Sequence, residues 1–273
     1  MNAPAAPVDL SVVVPVYDER DRLPSTLAAL RAHLDTGPYR WELIVVDDGS
    51  ADGGTAVVAR AAARDPRVRL LRSPSNRGKG HAVRTGVAAS RGALVLFTDA
   101  DLATPLDELP RLHAALTDGA AAAIASRAGR GVESRAGPGR EVRRHRLRLL
   151  LAWAAAAVIR AIVLRGVADT QCGFKLFDGD RARAAFAAAR VDGWGFDVEI
   201  LCLFARRGWP VAEVPVRWTH RPGSKVRPAG YVRTLGDVLA IRARYGRCRI
   251  VRPSRAVDGA APRRSRTRPR AAA

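Results

Sequence analysis

Ala93-Leu94-Val95-Leu96-Phe97-Thr98-Asp99-Ala100-Asp101 is an apolar run that stops on two carboxylates. A short continuous run of Leu, Val and Phe reads as a strand buried on both faces. The same pattern recurs on either side of it. Residues 10–16 and 41–46 are β-branched runs, and the second stops at Asp47-Asp48-Gly49-Ser50. Residues 68–71 and 121–125 complete five strands. Between them, the stretch opened by Pro24 carries Leu27, Leu30 and Leu34 at helical spacing, with proline in the tolerated first turn. Residues 55–63, 81–90 and 106–116 also read as helices. This βαβαβαβαβ order implies an α/β fold with a doubly wound, mostly parallel sheet covered on both faces. Ligands of such sheets sit beyond the carboxyl ends of the strands. The polar residues after the second and fourth strands therefore point to one crevice.

The second half is less regular. Residues 126–146 are rich in Gly and Arg and read as a loop, 146–165 as an apolar helix with basic ends. Residues 180–189, 197–206 and 231–245 read as helices, and 211–218 as a strand. From Arg247 onward the chain is Arg-, Pro- and Ala-rich and reads as a disordered tail.

Composition narrows the function classes. At 48% hydrophobic and 26% charged residues the chain is globular rather than disordered. The net charge is +20, and all 46 basic residues but Lys79, Lys175 and Lys225 are arginine. Such a balance attracts nucleotides, lipid headgroups or nucleic acid. Three cysteines without a CxxC pair argue against a disulfide framework and for a reducing, cytoplasmic home. The first residues carry neither a basic nor an apolar signal segment. The longest apolar run, 149–159, has 11 residues, well short of the roughly 20 that span a membrane.

Carboxylates at i and i+2 in a strand-end turn, Asp99 and Asp101, can converge on a hard cation such as Mg²⁺ or Mn²⁺ that also holds a diphosphate. One of Asp47 and Asp48 can accept from a pyrimidine N–H or a ribose hydroxyl. Pro15, Tyr17 and Glu19 bring an aromatic and an acid to the same edge. Other phosphate motifs fail: Gly80 follows Lys79 where a Walker A loop needs Ser or Thr, and Gly78-Lys79-Gly80 lacks the third glycine of a dinucleotide fingerprint. No two of the five histidines lie at i, i+4, and no GxSxG elbow is present.

These motifs resemble those of the family 2 glycosyltransferases with the GT-A nucleotide-sugar fold. Within them the chain is most similar to the members that glucosylate dolichyl and other polyprenyl phosphates. The matching residues run from Ser11 to Glu19 and Ile44 to Ser50, then through Asn76-Arg77-Gly78-Lys79-Gly80, Asp99-Ala100-Asp101 and Ser126-Arg127. The narrowest block is Asp169-Thr170-Gln171-Cys172-Gly173-Phe174-Lys175-Leu176-Phe177, followed by Gly195 to Glu199, Glu213 to Val216 and Gly223-Ser224-Lys225. Asp18 stands where the family usually has Asn.

The resemblance implies one transferase domain over residues 1–246, with a nucleotide-sugar half at about 8–125, an acceptor half at 126–246, and the basic tail at 247–273. It implies inverting transfer of glucose from UDP-glucose to a polyprenyl phosphate at the cytoplasmic membrane face. Pro15, Tyr17, Glu19, Asp47, Asp48, Lys79 and Asp99 would bind the UDP-sugar, and Asp99 and Asp101 the Mg²⁺ or Mn²⁺. Asp197 resembles the acid that acts as base in hydroxyl-using members; with a phosphate acceptor, already anionic, it would position the acceptor instead. Arg127, Arg140, Arg143 and Lys175 are the candidate cations for the acceptor phosphate. Arg143 to Arg148 leading into 149–159, with Trp153, suits a helix lying on an anionic membrane surface, and the tail would add attraction.

The competing readings are a family 2 transferase using GDP-mannose or another acceptor, and a basic nucleic-acid-binding protein. The tail has no interleaved aromatics and no nucleic-acid module is present, which disfavours specific nucleic-acid binding. The metal–diphosphate constellation disfavours a lectin-like module.

Overall fold

The protein, as a computed structural model, is described for residues 7–127, 162–219, 221 and 228–253. The first half follows the expected alternation: β1 (Leu10–Val16), α1 (Leu23–Thr36), β2 (Trp41–Asp47), α2 (Ala56–Ala62), β3 (Val68–Arg72), α3 (Lys79–Ala88), β4 (Leu94–Thr98), a 3₁₀ turn (Leu106–Glu108), α4 (Leu109–Thr117) and β5 (Ala122–Ser126). Then come β6 (Leu164–Arg165), β7 (Phe174–Asp178), α5 (Gly179–Ala188), α6 (Phe196–Arg206), β8 (Val211–Pro215), α7 (Pro228–Tyr245) and β9 (Cys248–Arg249).

The main sheet has seven strands in the order β3-β2-β1-β4-β7-β5-β8. Six run the same way, and β7 runs against them, paired with β4 on one side and β5 on the other. This strand is absent from the sequence expectation. Lys175 breaks its apolar run, and an antiparallel insertion lies outside the βαβ alternation.

Strand residues alternate between two apolar layers because successive side chains point to opposite faces. Val13, Val46, Phe97 and Phe177 join the layer that packs on α3, α5 and α6. Val12, Val14, Leu43, Leu96 and Leu176 join the other, with Leu27, Leu30 and Leu34 of α1 and Leu109 and Leu112 of α4. Burial of each such side chain stabilises by about 1.5–3 kcal/mol.

Most boundaries agree within about three residues, and two segments differ in kind. Leu164–Arg165 is not the end of an apolar helix but a strand, parallel to Cys248–Arg249. That pairing draws residues 247–253 out of the expected tail, with Cys248 and Ile250 buried in the core. The segment 149–159 with Trp153, and the tail past 253, lie outside the described residues. Among the described residues no helix is long and apolar enough to cross a membrane.

Candidate active site

The carboxyl ends of β1, β2 and β4 meet at one edge, as the strand order requires. The Asp99-Ala100-Asp101 turn is held by its backbone. The Asp99 N–H donates to the Gly173 carbonyl at 2.9 Å, and Thr26 Oγ1 of α1 donates to the Ala100 carbonyl at 2.5 Å. The Asp101 carboxylate accepts from the Ala103 N–H at 3.0 Å. Both acids therefore face a cleft of about 110 Å³, lined also by Thr98, Gln171, Gly173, Arg127 and Trp218. A Cβ at Gly173 would overlap Asp99 Oδ2, so any other residue here must displace the Asp99 side chain. The 169–177 block thus reaches the Asp99 carboxylate directly.

Lys79, the first residue of α3, places Nζ 2.6 Å from Asp99 Oδ1. Burial alone would discourage its charge, but Asp99 and the more distant Asp197 outweigh that and keep it above the ordinary lysine value. Its approach is fixed by Asp48, whose carboxylate accepts from the Arg77 N–H (3.0 Å) and the Gly78 N–H (2.7 Å). Burial pushes the Asp48 carboxyl up, and those amides pull against it. Gly78 sits at φ +116°, where a side chain would be strained.

Asp47 is also turned toward protein groups, accepting from the Ser50 N–H at 2.9 Å. At the end of β1, Tyr17 is 40% exposed and Glu19 pairs with Arg22 at 2.7 Å. Asp18 accepts from the Ala51 N–H at 3.0 Å and has φ +50°, a conformation that Asn and Asp tolerate better than other side chains. The substitution of Asp for Asn is therefore compatible with this turn. A wider, more open hollow of about 500 Å³ is bounded by Asp18, Arg20, Asp21, Ala51 and Asp52. Three acids against one arginine make it unsuited to a diphosphate.

Two acceptor-side expectations are corrected. Lys175 does not reach the cleft. Its side chain is 2% exposed, and Nζ lies 2.5 Å from Asp197 Oδ1 and 2.6 Å from the Cys172 carbonyl. On β7, opposite Phe97 of β4, the side chain enters the layer under α6 rather than the solvent. Asp197 is likewise 3% exposed and sits behind the cleft; burial pushes its carboxyl up, while the Lys175 and Lys79 ammoniums pull it down. Arg127 does line the cleft, but its guanidinium makes a two-pronged bond to Asp169 (2.7 and 2.8 Å). Burial works against that charge and Asp169 outweighs it, raising the Arg127 pKa. Arg140 and Arg143 lie outside the described residues.

Several contributors carried no role in the sequence reading. Glu213 accepts from the Asp169 N–H at 2.9 Å, so β8 holds the acid that holds Arg127. Gln171 Nε2 and Thr170 Oγ1 are buried polar atoms with no partner among the described residues, and Gln171 lines the cleft. Asp169, Gln171, Gly173 and Glu213 all sit within the matched motifs; the motifs flagged the positions, not the partners.

The donor set suits a hard divalent cation. Asp99 and Asp101 line one cleft and offer only oxygen donors, and among the described residues no group of three or more His, Cys, Asp or Glu forms a metal cluster.

The model of the family described as "Glycosyl transferase family 2" matches residues 11–170. This chain belongs to that family. The dolichyl-phosphate beta-glucosyltransferase of Dictyostelium discoideum is 36% identical over 254 residues, covering 88% of this chain and 76% of that protein. The Homo sapiens protein of the same name is 37% identical over 250 residues, covering 86% and 75%. Among solved structures, glucosyl-3-phosphoglycerate synthase of Mycobacterium tuberculosis in complex with UDP superposes with TM-score 0.57 at 23% identity, covering 86% of this chain and 80% of that one. A Pyrobaculum calidifontis mannosyltransferase in complex with GDP-Man and Mn²⁺ gives 0.59 at 20%, covering 89% and 66%. The fold of this family 2 glycosyltransferase is the GT-A fold: the mostly parallel sheet is shared, and the cleft opens at its carboxyl edge.

Proposed function

We propose that this family 2 transferase moves glucose from UDP-glucose to a polyprenyl phosphate of the dolichyl type, with inversion at the anomeric carbon. One observation carries the reading. The 169–177 block, the segment most specific to the polyprenyl-phosphate members, seats Gly173 against Asp99 and Asp169 against Arg127, on the same cleft as Asp101.

In this reading Pro15, Tyr17 and Glu19, with Asp47 and Asp48 beneath them, border the uridine. The N-terminus of α3 and Lys79 face the diphosphate, where amides and an ammonium meet negative charge. Asp99 and Asp101 hold the Mg²⁺ or Mn²⁺, which supplies charge neutralisation for the departing UDP. The acceptor phosphate oxygen attacks C1 on the face opposite UDP. The new C1–O bond forms as the bond to the β-phosphate oxygen breaks and takes its electron pair to UDP. The attacking oxygen is already anionic, so no side chain need remove a proton, in keeping with the burial of Asp197. Arg127 supplies the cation on the acceptor side, held in place by Asp169. The acceptor's hydrocarbon and the +20 charge support a peripheral position at an anionic membrane surface, and this reading takes the face to be the cytoplasmic one.

The test is donor screening with short polyprenyl phosphates. UDP-glucose with Mg²⁺ or Mn²⁺ gives turnover, EDTA abolishes it, and Asp101→Asn lowers it about 10²–10³-fold without unfolding, as loss of one electrostatic stabiliser does. Turnover with GDP-mannose instead of UDP-glucose would move the donor assignment to mannose, and full activity in EDTA would remove the metal from the reading.

A further inference from the structure

The two lysines behind and beside the cleft differ in how their ion pairs are exposed. Lys175 and Asp197 form a closed pair, 2% and 3% exposed, with the ammonium also held by the Cys172 carbonyl. Lys79 and Asp99 form an open pair, 13% and 32% exposed, at the cleft wall. Phe97 lies under both ammoniums, with centroids 5.1 Å from Lys79 and 5.6 Å from Lys175, and Trp194 flanks Lys79 at 4.9 Å. The α3 N-terminus is pinned by Asp48, so Lys79 can redirect its side-chain end while its backbone stays put.

Asp99 is also the carboxylate whose other oxygen rests against Gly173. A dication arriving alone must therefore displace or crowd an ammonium 2.6 Å from that carboxylate. Of the other carboxylates that act on Lys79, Asp197 already holds Lys175 and Asp101 is the second acid proposed for the cation, so neither offers the released ammonium an unengaged partner. A nucleoside diphosphate changes this: it brings the cation and, in the same step, an anion for Lys79.

We propose that Lys79 is the resident counter-ion of Asp99 before the donor arrives, and that it exchanges this carboxylate for the donor diphosphate. Divalent cation and nucleotide then bind with positive coupling, and the cation alone binds weakly. The exchange rests on the donor-site reading above and adds to it the reason that free metal is disfavoured. Coupling is reciprocal: UDP strengthens metal binding by the same factor as metal strengthens UDP binding.

Two measurements on the full chain test it. Free Mn²⁺ is titrated by its EPR signal against wild type, Lys79→Met and Lys79→Arg, with and without UDP. The expected result is that Lys79→Met binds Mn²⁺ alone roughly tenfold tighter than wild type and loses a similar factor of coupling, within the range of about 5–150-fold usual for linked ligands. Lys79→Arg, which keeps the charge, stays near wild type. Equal affinity of wild type and Lys79→Met for Mn²⁺ alone overturns the exchange. The second measurement needs no charge-removing variant. With only three lysines in the chain, [¹³Cε]lysine labelling gives a spectrum assignable through Lys79→Arg. UDP with Mg²⁺ is expected to shift the Lys79 resonance and leave that of Lys175 in place; an unmoved Lys79 resonance at saturating UDP overturns the proposal. A chain that binds neither UDP nor Mn²⁺ in UDP's presence would instead overturn the donor-site reading, and the exchange with it.

Discussion

The proposed donor side and the proposed acceptor side of this sheet handle charge differently. On the donor side, Asp47, Asp48, Asp99 and Asp101 stand at or just past strand ends, and apart from the Lys79 pair their close partners are mostly backbone amides. On the acceptor side charge enters the sheet itself. Lys175 lies within β7 and pairs with Asp197, Arg127 follows β5 and pairs with Asp169, and Glu213 on β8 holds the backbone of Asp169. Strand-end carboxylates on amides can be removed with modest cost to the fold. A charge in the sheet interior cannot, because its partner is then left ionised and dry. The difference separates residues whose loss costs turnover from residues whose loss costs stability.

The sharpest break of that contrast is Lys175→Met. It leaves Asp197 buried without its nearest cation, and breaking such a pair typically costs about 3–5 kcal/mol. Urea unfolding should show the loss, and Lys175→Met combined with Asp197→Leu should recover much of it. A single variant as stable as wild type would remove the contrast. Next in size is Gly173→Ala, at the point where the two sides touch. Its Cβ must push Asp99 aside, and misplacement of a catalytic group by about 1 Å can cost 10²-fold in rate. The melting temperature should move little compared with kcat, as a thermal scan beside steady-state kinetics would establish.

The smallest effect concerns acid. Arg127 overcomes the burial that would otherwise raise the Asp169 carboxyl, and holds it below its usual range. A carboxyl depressed in the folded state stabilises fully above its unfolded pKa of about 3.9 and loses that contribution as pH falls through the folded value. Asp169→Asn should therefore be less stable than wild type at pH 7, by about 1.5 kcal/mol or less given that Arg127 is 38% exposed. The gap should close below about pH 4. A gap that is constant from pH 7 to pH 3 would mean that the pair acts through shape rather than charge.

The donor side was legible because its signals are local. A β-branched run followed by Asp-x-Asp, or by Asp-Asp-Gly-Ser, fixes both the strand and the edge at which its acids emerge. The family motifs then suggested one metal for Asp99 and Asp101. On the acceptor side the same motifs marked Asp169, Gly173 and Lys175 without telling what each touches. Lys175 is the clearest case: a lone cation in a motif beside a phosphate-using site reads as a phosphate ligand, and only its register in β7, opposite Phe97, turns it inward.

By itself, then, the sequence determined the alternation of strands and helices, the crevice at the carboxyl edge and the carboxylates that stand there, since each follows from side-chain periodicity over a few residues. Tertiary structure alone decided the antiparallel insertion of β7, the closed Lys175–Asp197 pair beside the open Lys79–Asp99 pair, and the reach of Asp169 across 42 residues to Arg127. The physical reason is that a charge is neutralised by whatever the fold brings within about 3 Å, and nothing in the spacing of residues along the chain specifies that neighbour.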